Sequence, residues 1–439
     1  MAPRTLVLLV LLCLGTLRTC SGGGASASAA AGIRMKLTHV DAKGSYTVEE
    51  RVRRAVAASR QRLASVRGGG GGVSAAVHWA TQQYIAEYTV GNPPQRAEAL
   101  IDTGSDLIWT QSTECLRKVC ARQDLPYFNA SASGSFAAVP CRDRACAANY
   151  VHFCALDGGC TLVASYGAGA VIGFLGTDAF AFASGGGTVA LAFGCVSFTQ
   201  VVPGALHGAS GLIGLGRGRL SLVSQTGADR FSYCLTRYFH KDAPPSHLFV
   251  GAAAPSHLVS SMAFVENPKD FPYSTFYYLP LVGISVGDTR LPINSSVFEL
   301  QQVKELKGYW TGGVLIDSGS PFTALAHGAY QPLHDEVARQ LNGSLVAAPE
   351  NSDFDLCVRR DDVDRVVPEL VFHFSGGADM APPPENYWAP ADKTTTACMA
   401  ILDGYDQSII GNFQQQNMHL LFDVAGGRFS FQKADCSTL

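Results

Sequence analysis

The feature that most constrains this chain is a repeated pattern in which an apolar run ends in Asp, a small hydroxyl residue, Gly and Ser. The first copy runs from Ala99 to Ser105 and the second from Val314 to Ser320. An apolar run followed by Asp and Gly indicates a buried strand that enters a tight loop. Each Asp is therefore expected where the core meets a cleft, which is a costly place for a carboxylate.

A second element follows each Asp loop, an apolar pair that ends in Gly. Gly214 comes 112 residues after Asp102, and Gly411 comes 94 residues after Asp317. This internal repeat predicts two similar β lobes, each of which contributes one Asp loop to a shared cleft. Beyond Tyr84, short β-rich runs alternate with Gly, Pro and Asn, so the predicted fold class is all-β.

Two carboxylates brought together in such a cleft have a defined chemistry. Like charges about 3 Å apart cannot both ionise, so the pair shares one proton. The ionised member can then activate a water that attacks a carbonyl carbon, while the protonated member hydrogen-bonds the carbonyl oxygen. No metal or cofactor is required. Gly104 and Gly319 allow the two loops to approach closely. Hydroxyl groups can fix the carboxylates, and they are supplied by Thr103, Ser105, Ser318 and Ser320.

The ordered set of motifs resembles the pepsin-class aspartic proteases. The resemblance is carried by Asp102-Thr103-Gly104-Ser105 with Trp109, by Asp317-Ser318-Gly319-Ser320, and by the two apolar-Gly elements. Finer features resemble the nepenthesin-like plant branch, and they include Leu37-Thr38-His39-Val40-Asp41, Gly214-Leu215-Gly216-Arg217-Gly218, Pro384-Glu385-Asn386-Tyr387 and Ile410-Gly411-Asn412-Phe413.

The resemblance implies a bilobal fold with the active-site cleft between the lobes and a flap over it. The flap tyrosine maps onto Tyr166, which with Trp109 is expected to close the site and exclude water. Some positions depart from the family pattern. Ala168 and Ala170 replace the usual flap Asp and Ser, Pro321 replaces Thr or Ser and removes a backbone donor, and Ser112 replaces a Cys.

Cysteine usage predicts disulfides in an oxidising compartment. Of 13 cysteines, Cys13 and Cys20 lie in or beside the N-terminal apolar segment, and seven of the others lie between Cys115 and Cys195. An odd remainder implies one free thiol. Zinc is disfavoured by the spacings of the close pairs. The resemblance implies that Cys115 is unpaired and that the bonds are Cys120 to Cys195, Cys141 to Cys160, Cys146 to Cys154, Cys234 to Cys436 and Cys357 to Cys398.

The N-terminal region predicts a signal peptide followed by a basic propeptide. Arg4 precedes the apolar run Leu6 to Leu12, which is too short for a membrane span. Ile33 to Arg67 carries a net charge of +6 with a capping box at Thr47 and Glu50, whereas the body of the chain carries −11. The expected boundaries are 1–22 for the signal peptide, 23–75 for the propeptide, 76–245 for the N-terminal lobe and 246–439 for the C-terminal lobe.

The sequence therefore predicts a secreted aspartic endopeptidase, made as a zymogen and active in acid. The alternative is a non-catalytic binding protein or glycosidase inhibitor on the same scaffold. The expected partners are protein or peptide substrates and the protein's own propeptide, with no cofactor, nucleic acid or membrane anchor. We expect a monomer in the extracellular space or the vacuole. Sequons mark three N-glycan acceptors, which are Asn129, Asn294 and Asn342.

Overall fold

The structure is a computed structural model that describes most of the chain. The described residues are 32–67, 84–115, 119–148, 151–166, 169–182, 187–237, 239, 244–304, 306–350, 352–392 and 395–439. Three stretches that bear on the predictions lie outside these residues. They are the expected signal segment 1–22, the glycine run from Gly68 to Gly72 in the expected propeptide, and Ala168. Residues 31–439 form one compact unit.

The described helices are few, and two of them exceed one turn. The α-helices, α1 to α5 in chain order, are Val48–Arg67, Arg144–Ala147, Leu222–Gln225, His327–Gln340 and Val363–Val366. Short 3₁₀ turns connect other elements at Val40–Lys43, Ala130–Ala132, Gly251–Ala253, Tyr273–Thr275, Ser295–Phe298, Arg360–Asp362, Pro384–Asn386 and Cys436–Thr438. In the part of the chain that is described, we find no helix with the length and apolarity that a membrane crossing requires.

Strands make up most of the regular structure. Strands β1 to β14 are Ile33–His39, Tyr84–Val90, Gln95–Asp102, Trp109–Gln111, Ala137–Ala138, Val151–Cys154, Cys160–Tyr166, Gly169–Phe182, Val189–Val201, Gly211–Gly214, Arg230–Cys234, Ser246–Val250, Ser260–Ala263 and Leu281–Val286. Strands β15 to β28 are Thr289–Arg290, Leu300–Gln302, Trp310–Gly312, Val314–Ile316, Thr323–Leu325, Cys357–Arg359, Leu370–Phe374, Asp379–Met380, Trp388–Pro390, Thr396–Met399, Ile401–Asp403, Ser408–Ile410, Met418–Asp423 and Arg428–Lys433.

One large sheet connects the two halves of the molecule. Its strand order is β13-β28-β27-β11-β12-β1-β2-β3-β10-β4-β9-β8-β7-β6, with β5 paired to β8. Strand β1, from the segment predicted to be a propeptide, lies inside this sheet, antiparallel to both β12 and β2. Met35 and Leu37 of β1 are fully buried. The alternation of buried and exposed residues along β1 thus places its apolar face in the main core.

The internal repeat is visible as the same strand arrangement in both halves. In the first half β3 pairs in parallel with β10, and Asp102 lies opposite Gly214. In the second half β18 pairs in parallel with β26, and Ile316 lies opposite Ile410. Strands β10 and β26 each also pair with an antiparallel neighbour. The neighbour of β10 is β4, and the neighbour of β26 is β19. The predicted bilobal all-β fold is confirmed.

Helix α1 forms where the sequence places a capping box and a helical apolar stripe. The Thr47 N–H donates to Glu50 Oε2 at 2.7 Å, and the Glu50 N–H donates to Thr47 Oγ1 at 3.2 Å. Its buried face consists of Val52, Ala55, Val56, Ala58, Ser59, Arg62 and Leu63. This face packs beside β19 and β23 of the C-terminal lobe.

The disulfide pattern corrects part of the expected pairing. Cys234–Cys436 and Cys357–Cys398 have the partners that the resemblance implies. The expected Cys120–Cys195, Cys141–Cys160 and Cys146–Cys154 bonds are wrong. The structure contains Cys115–Cys120, Cys141–Cys154 and Cys146–Cys160 instead, and the free cysteine among the described residues is Cys195 rather than Cys115.

The position of Cys195 explains this correction. It lies on β9 directly opposite Thr110 of β4, fully buried in the N-terminal lobe. Cys115 and Cys120 lie near each other in one loop after β4, with Cα atoms 5.8 Å apart. That separation suits a disulfide without backbone movement, so the local pair forms and the core thiol is left over.

Candidate active site

Asp102 and Asp317 lie at corresponding points of the repeat. Asp102 ends β3 and Asp317 immediately follows β18. Both residues are buried, with exposed fractions of 0% and 2%. The two parallel strand pairs therefore carry each carboxylate out of the apolar core and into its Gly-containing loop.

The two Asp loops hold each other by reciprocal hydrogen bonds. The Thr103 N–H donates to Ser318 Oγ at 3.2 Å, and the Ser318 N–H donates to Thr103 Oγ1 at 3.0 Å. Within each loop the backbone N–H of the glycine donates to its own Asp, Gly104 to Asp102 Oδ1 at 3.0 Å and Gly319 to Asp317 Oδ1 at 2.8 Å. These charge-assisted bonds fix the direction of both carboxylates.

A polar layer behind the second loop is not predicted by the sequence analysis. Asn412 Nδ2 donates to the Ser318 carbonyl at 2.9 Å, and Gln415 Nε2 donates to the Asp317 carbonyl at 3.3 Å. The Asn412 N–H also donates to the Ser320 carbonyl at 2.7 Å. The amide side chains after Gly411 could have suggested this role, because buried backbone carbonyls in a loop need donors.

The electrostatics of the pair are set by burial. Burial raises the pKa of Asp102 above its ordinary value, the neighbouring Arg62 cation opposes this shift, and the charge of Asp317 adds to it. A raised carboxyl pKa keeps the acid form available near neutral pH. The pair can thus hold one proton and one negative charge, which is the state that acid–base catalysis by two carboxylates requires.

Arg62 of α1 lies across both carboxylates. Its Nε donates to Asp317 Oδ2 at 2.7 Å, and its Nη2 lies 3.6 Å from Asp102 Oδ1. The guanidinium side chain is 2% exposed. A Cβ atom at Gly104 would lie 1.9 Å from Arg62 Nη2, so this glycine provides the space that the guanidinium occupies. The basic segment was predicted, but this single residue was not.

Further basic residues of the N-terminal segment contact the N-terminal lobe. Lys43 Nζ pairs with Glu98 and, at 3.0 Å, with Asp124. Arg54 Nη2 lies 3.0 Å from His207 Nδ1 of the lobe, while Arg54 Nε pairs at 3.0 Å with Asp41 of its own segment and so holds that segment together. Lys43 and Arg62 therefore pair this basic segment with acidic residues of the body.

Tyr166 and Trp109, the residues predicted to form the flap, lie near the first Asp loop. Tyr166 ends β7 and pairs with Gly169 of β8 across a hairpin. Its ring centroid lies 6.3 Å from that of Trp109, and both residues are buried. Ala170 lies on β8 opposite Ser165, where no side-chain hydrogen bond to a substrate is available from a methyl group. Ala168 is outside the described residues.

Asp106 is a third carboxylate near the dyad, half-buried just after the first Asp loop, and no role was predicted for it from the sequence. Its Oδ1 accepts a hydrogen bond from the Gly218 N–H at 2.7 Å. Burial, with Asp102 nearby, raises its pKa to about 7. Cβ atoms at Gly216 and Gly218 would lie 2.4 and 2.3 Å from its carboxylate, so the glycines allow the loop to enclose it. Arg217 between them donates to Asn267 Oδ1 at 2.8 Å.

The arrangement fits hydrolysis by a water held between two carboxylates. Two buried Asp side chains belong to loops that are locked together, and a cation now sits where their shared negative charge is concentrated. Among the described residues, no group of three or more His, Cys, Asp or Glu is placed to hold a metal ion. The two carboxylates can activate a water and stabilise an oxyanion by sharing one proton.

Comparison with known proteins agrees with this geometry. The family model for the xylanase inhibitor N-terminal domain matches residues 84–252, and the model for the C-terminal domain matches residues 276–433. Aspartic proteinase nepenthesin-1 of Nepenthes gracilis is 36% identical over 417 residues, which cover 92% of this chain and 90% of that protein. Aspartyl protease family protein 2 of Arabidopsis thaliana is 36% identical over 363 residues, covering 81% and 71%.

Solved structures share the fold at lower sequence identity. The crystal structure of edgp has a TM-score of 0.65 at 15% identity and covers 93% of this chain and 96% of that one. Basic 7S globulin from soybean has a TM-score of 0.63 at 16% identity and covers 92% and 97%. With two matched Asp loops, two matching family models and relatives at this identity, the chain belongs to the pepsin-like aspartic protease family.

Proposed function

We propose that this protein is an acid-activated aspartic endopeptidase in its zymogen form, with Asp102 and Asp317 as the catalytic pair. The observation that carries the proposal is the position of Arg62, which places a propeptide cation on both carboxylates. A buried guanidinium neutralises their charge and fills the space that a catalytic water and a substrate carbonyl would need. The chain is then inactive until α1 leaves the cleft.

The proposed reaction uses the residues already described. The ionised carboxylate of the pair takes a proton from water, whose oxygen attacks the scissile carbonyl carbon. The protonated carboxyl stabilises the developing oxyanion, and a proton then passes to the leaving amine. Thr103, Ser105, Ser318 and Ser320 are proposed to hold the loops, and Tyr166 with Trp109 to close over the substrate. Closure would exclude bulk water and strengthen these interactions.

His207 supports release of the propeptide in acid. Burial, with Arg54 and Lys43 nearby, lowers the pKa of His207 to about 4. Release would return it toward its ordinary value of 6.5, so the released form binds more protons between these pH values and acid favours release. Asp41, whose pKa is raised mainly by burial, titrates in the opposite sense. Once His207 is protonated, its positive charge would repel the adjacent Arg54 guanidinium.

The processing and targeting of the chain remain part of the proposal. We propose a signal peptide at 1–22, a propeptide at 23–75 and catalytic lobes at 76–245 and 246–439, with secretion to the extracellular space or the vacuole as a monomer. Asn294 and Asn342 are exposed, as an N-glycan acceptor must be, and Asn129 is half-buried. The Asn129 side chain accepts from the Ser131 N–H at 3.1 Å, which ties it to its own turn.

A second function is favoured by the departures at Ala170 and Pro321 and by the description of the matching family models. On this alternative the chain binds a glycosidase on the same scaffold without cleaving peptides. The intact pair Asp102 and Asp317 and the arginine that covers it favour the protease, because an inert cleft needs no covering cation.

Cleavage of an unfolded protein in acid tests the proposal. We expect the full-length chain, incubated at roughly pH 3 to 5, to lose its N-terminal segment and then hydrolyse the substrate. A statine-type transition-state analogue should abolish this hydrolysis, and a metal chelator should leave it unchanged. Inhibition of a xylanase by a chain that cleaves no peptide under these conditions would favour the alternative function.

A further inference from the structure

We propose that the backbone N–H of Phe322 is a substrate-binding donor of the cleft, and that Ser59 of the propeptide occupies the place of a substrate carbonyl. The inference rests on the proposed protease function and adds a recognition group to it. It concerns peptide substrates bound in an extended conformation, whose backbone carbonyls are the available acceptors.

The hydrogen bond between these residues is buried and lies beside the dyad. The Phe322 N–H donates to Ser59 Oγ at 2.9 Å. Both residues are fully buried. Ser59 lies three residues before Arg62 on α1, so the two side chains project from the same face of the helix. One helix face therefore contacts a backbone donor with Ser59 and the catalytic carboxylates with Arg62.

The surrounding chain explains why this N–H faces the propeptide. Pro321 has no N–H, so Phe322 carries the first backbone donor after Ser320. The Thr323 N–H points inward to Gln414 Oε1 at 3.0 Å. The Phe322 ring packs against Phe354 and Phe413 with centroids 5.5 and 5.3 Å away. This packing fixes the backbone so that the N–H is directed to the side where α1 lies.

The donor needs a new partner once α1 leaves. When a bound ligand covers a backbone N–H and offers it no acceptor, the lost hydrogen bond to water costs free energy. A carbonyl oxygen of the ligand avoids this cost because it accepts a hydrogen bond from the N–H. The Ser59 hydroxyl oxygen accepts in the same way that a peptide carbonyl does. Ser59 and Arg62 are three residues apart, which corresponds to about 4.5 Å along the helix axis. An extended peptide covers the same distance in one to two residues. The carbonyl recognised should thus lie one or two residues from the scissile bond.

Residue-resolved amide exchange in the propeptide-free protein tests this assignment. We expect exchange of the Phe322 amide to slow at least about tenfold when a statine-type peptide analogue binds, since a new hydrogen bond forms. The Thr323 amide is the matched internal control, because its partner Gln414 is present with or without the analogue. Its exchange should not change.

Two results would overturn the assignment while leaving the protease proposal intact. They are binding of the analogue with no change at Phe322, and protection of Phe322 that is already complete without it. Failure of the analogue to bind would overturn the proposed function and this inference with it.

In the full-length chain, Ser59→Ala should speed acid release of the propeptide by about two- to tenfold, which is the range expected for the loss of one net hydrogen bond. An unchanged release rate would also contradict the proposal.

Discussion

Replacing Arg62 by alanine in the full-length chain is expected to cause activation at a pH where the wild type stays closed. The change leaves two buried carboxylates facing an apolar methyl group, and removing one partner of a buried ion pair costs about 3 to 5 kcal/mol. We therefore expect loss of the N-terminal segment at about pH 6 to be at least a hundredfold faster than in the wild type. Mass spectrometry of timed samples measures this directly.

Arg60→Ala is the matched control for this experiment. Arg60 lies on the same helix and pairs with Asp353 at 2.8 Å, but its side chain is 60% exposed. An exposed pair contributes between 0 and about 1 kcal/mol, so the control should activate within a few-fold of the wild type. Equal activation rates for Arg62→Ala, Arg60→Ala and the wild type would contradict the proposed role of Arg62.

Asp106→Asn is expected to stabilise the folded protein at neutral and alkaline pH. The pKa of Asp106 is raised from 3.8 to about 7, so its contribution to stability is complete below 3.8 and is lost as pH rises toward 7. Asparagine keeps an acceptor for the Gly218 N–H without carrying a charge. The gain in unfolding free energy should be larger at pH 8 than at pH 5, by at most about 3 kcal/mol.

Urea denaturation of the full-length chain at the two pH values measures this difference. Asp353→Asn serves as the control, because it removes a carboxylate from the exposed pair with Arg60. Because that pair is exposed, the control should change the unfolding free energy by at most about 1 kcal/mol at either pH. A stability gain for Asp106→Asn that is equal at pH 5 and pH 8 would contradict a raised pKa of Asp106 in the folded protein.

The dyad could be predicted from the sequence because its signal is local and repeated. An apolar run, Asp, a hydroxyl residue and Gly define the end of a buried strand, and the second copy at Asp317 completes a two-carboxylate site. The partner strand ending at Gly214 follows from the same repeat. The repeat and its spacing therefore sufficed for the fold class and for locating the two buried Asp residues at corresponding points of the two halves.

Contacts between distant segments could not be predicted in the same way. Arg62 reaches Asp317 across 255 residues, and nothing in the run of basic residues distinguishes it from Arg60 or Arg67. The partner of Phe322 likewise depends on where α1 lies in the cleft. The free thiol was predicted at Cys115 but lies at Cys195. Disulfide pairing depends on which residues neighbouring strands bring together, and the strand beside Cys195 places Thr110 opposite it.

Peptide hydrolysis by the propeptide-free protein and by its Asp102→Asn variant shows whether the two buried carboxylates are catalytic. The variant should be processed in trans by the wild type, so that both proteins lack Arg62 and differ in one atom of one side chain. At about pH 4 we expect the variant to lose at least a thousandfold in kcat, since asparagine can neither take up nor release the proton that the carboxylate pair must share. Equal rates for the two proteins, or no hydrolysis by either, would contradict the account.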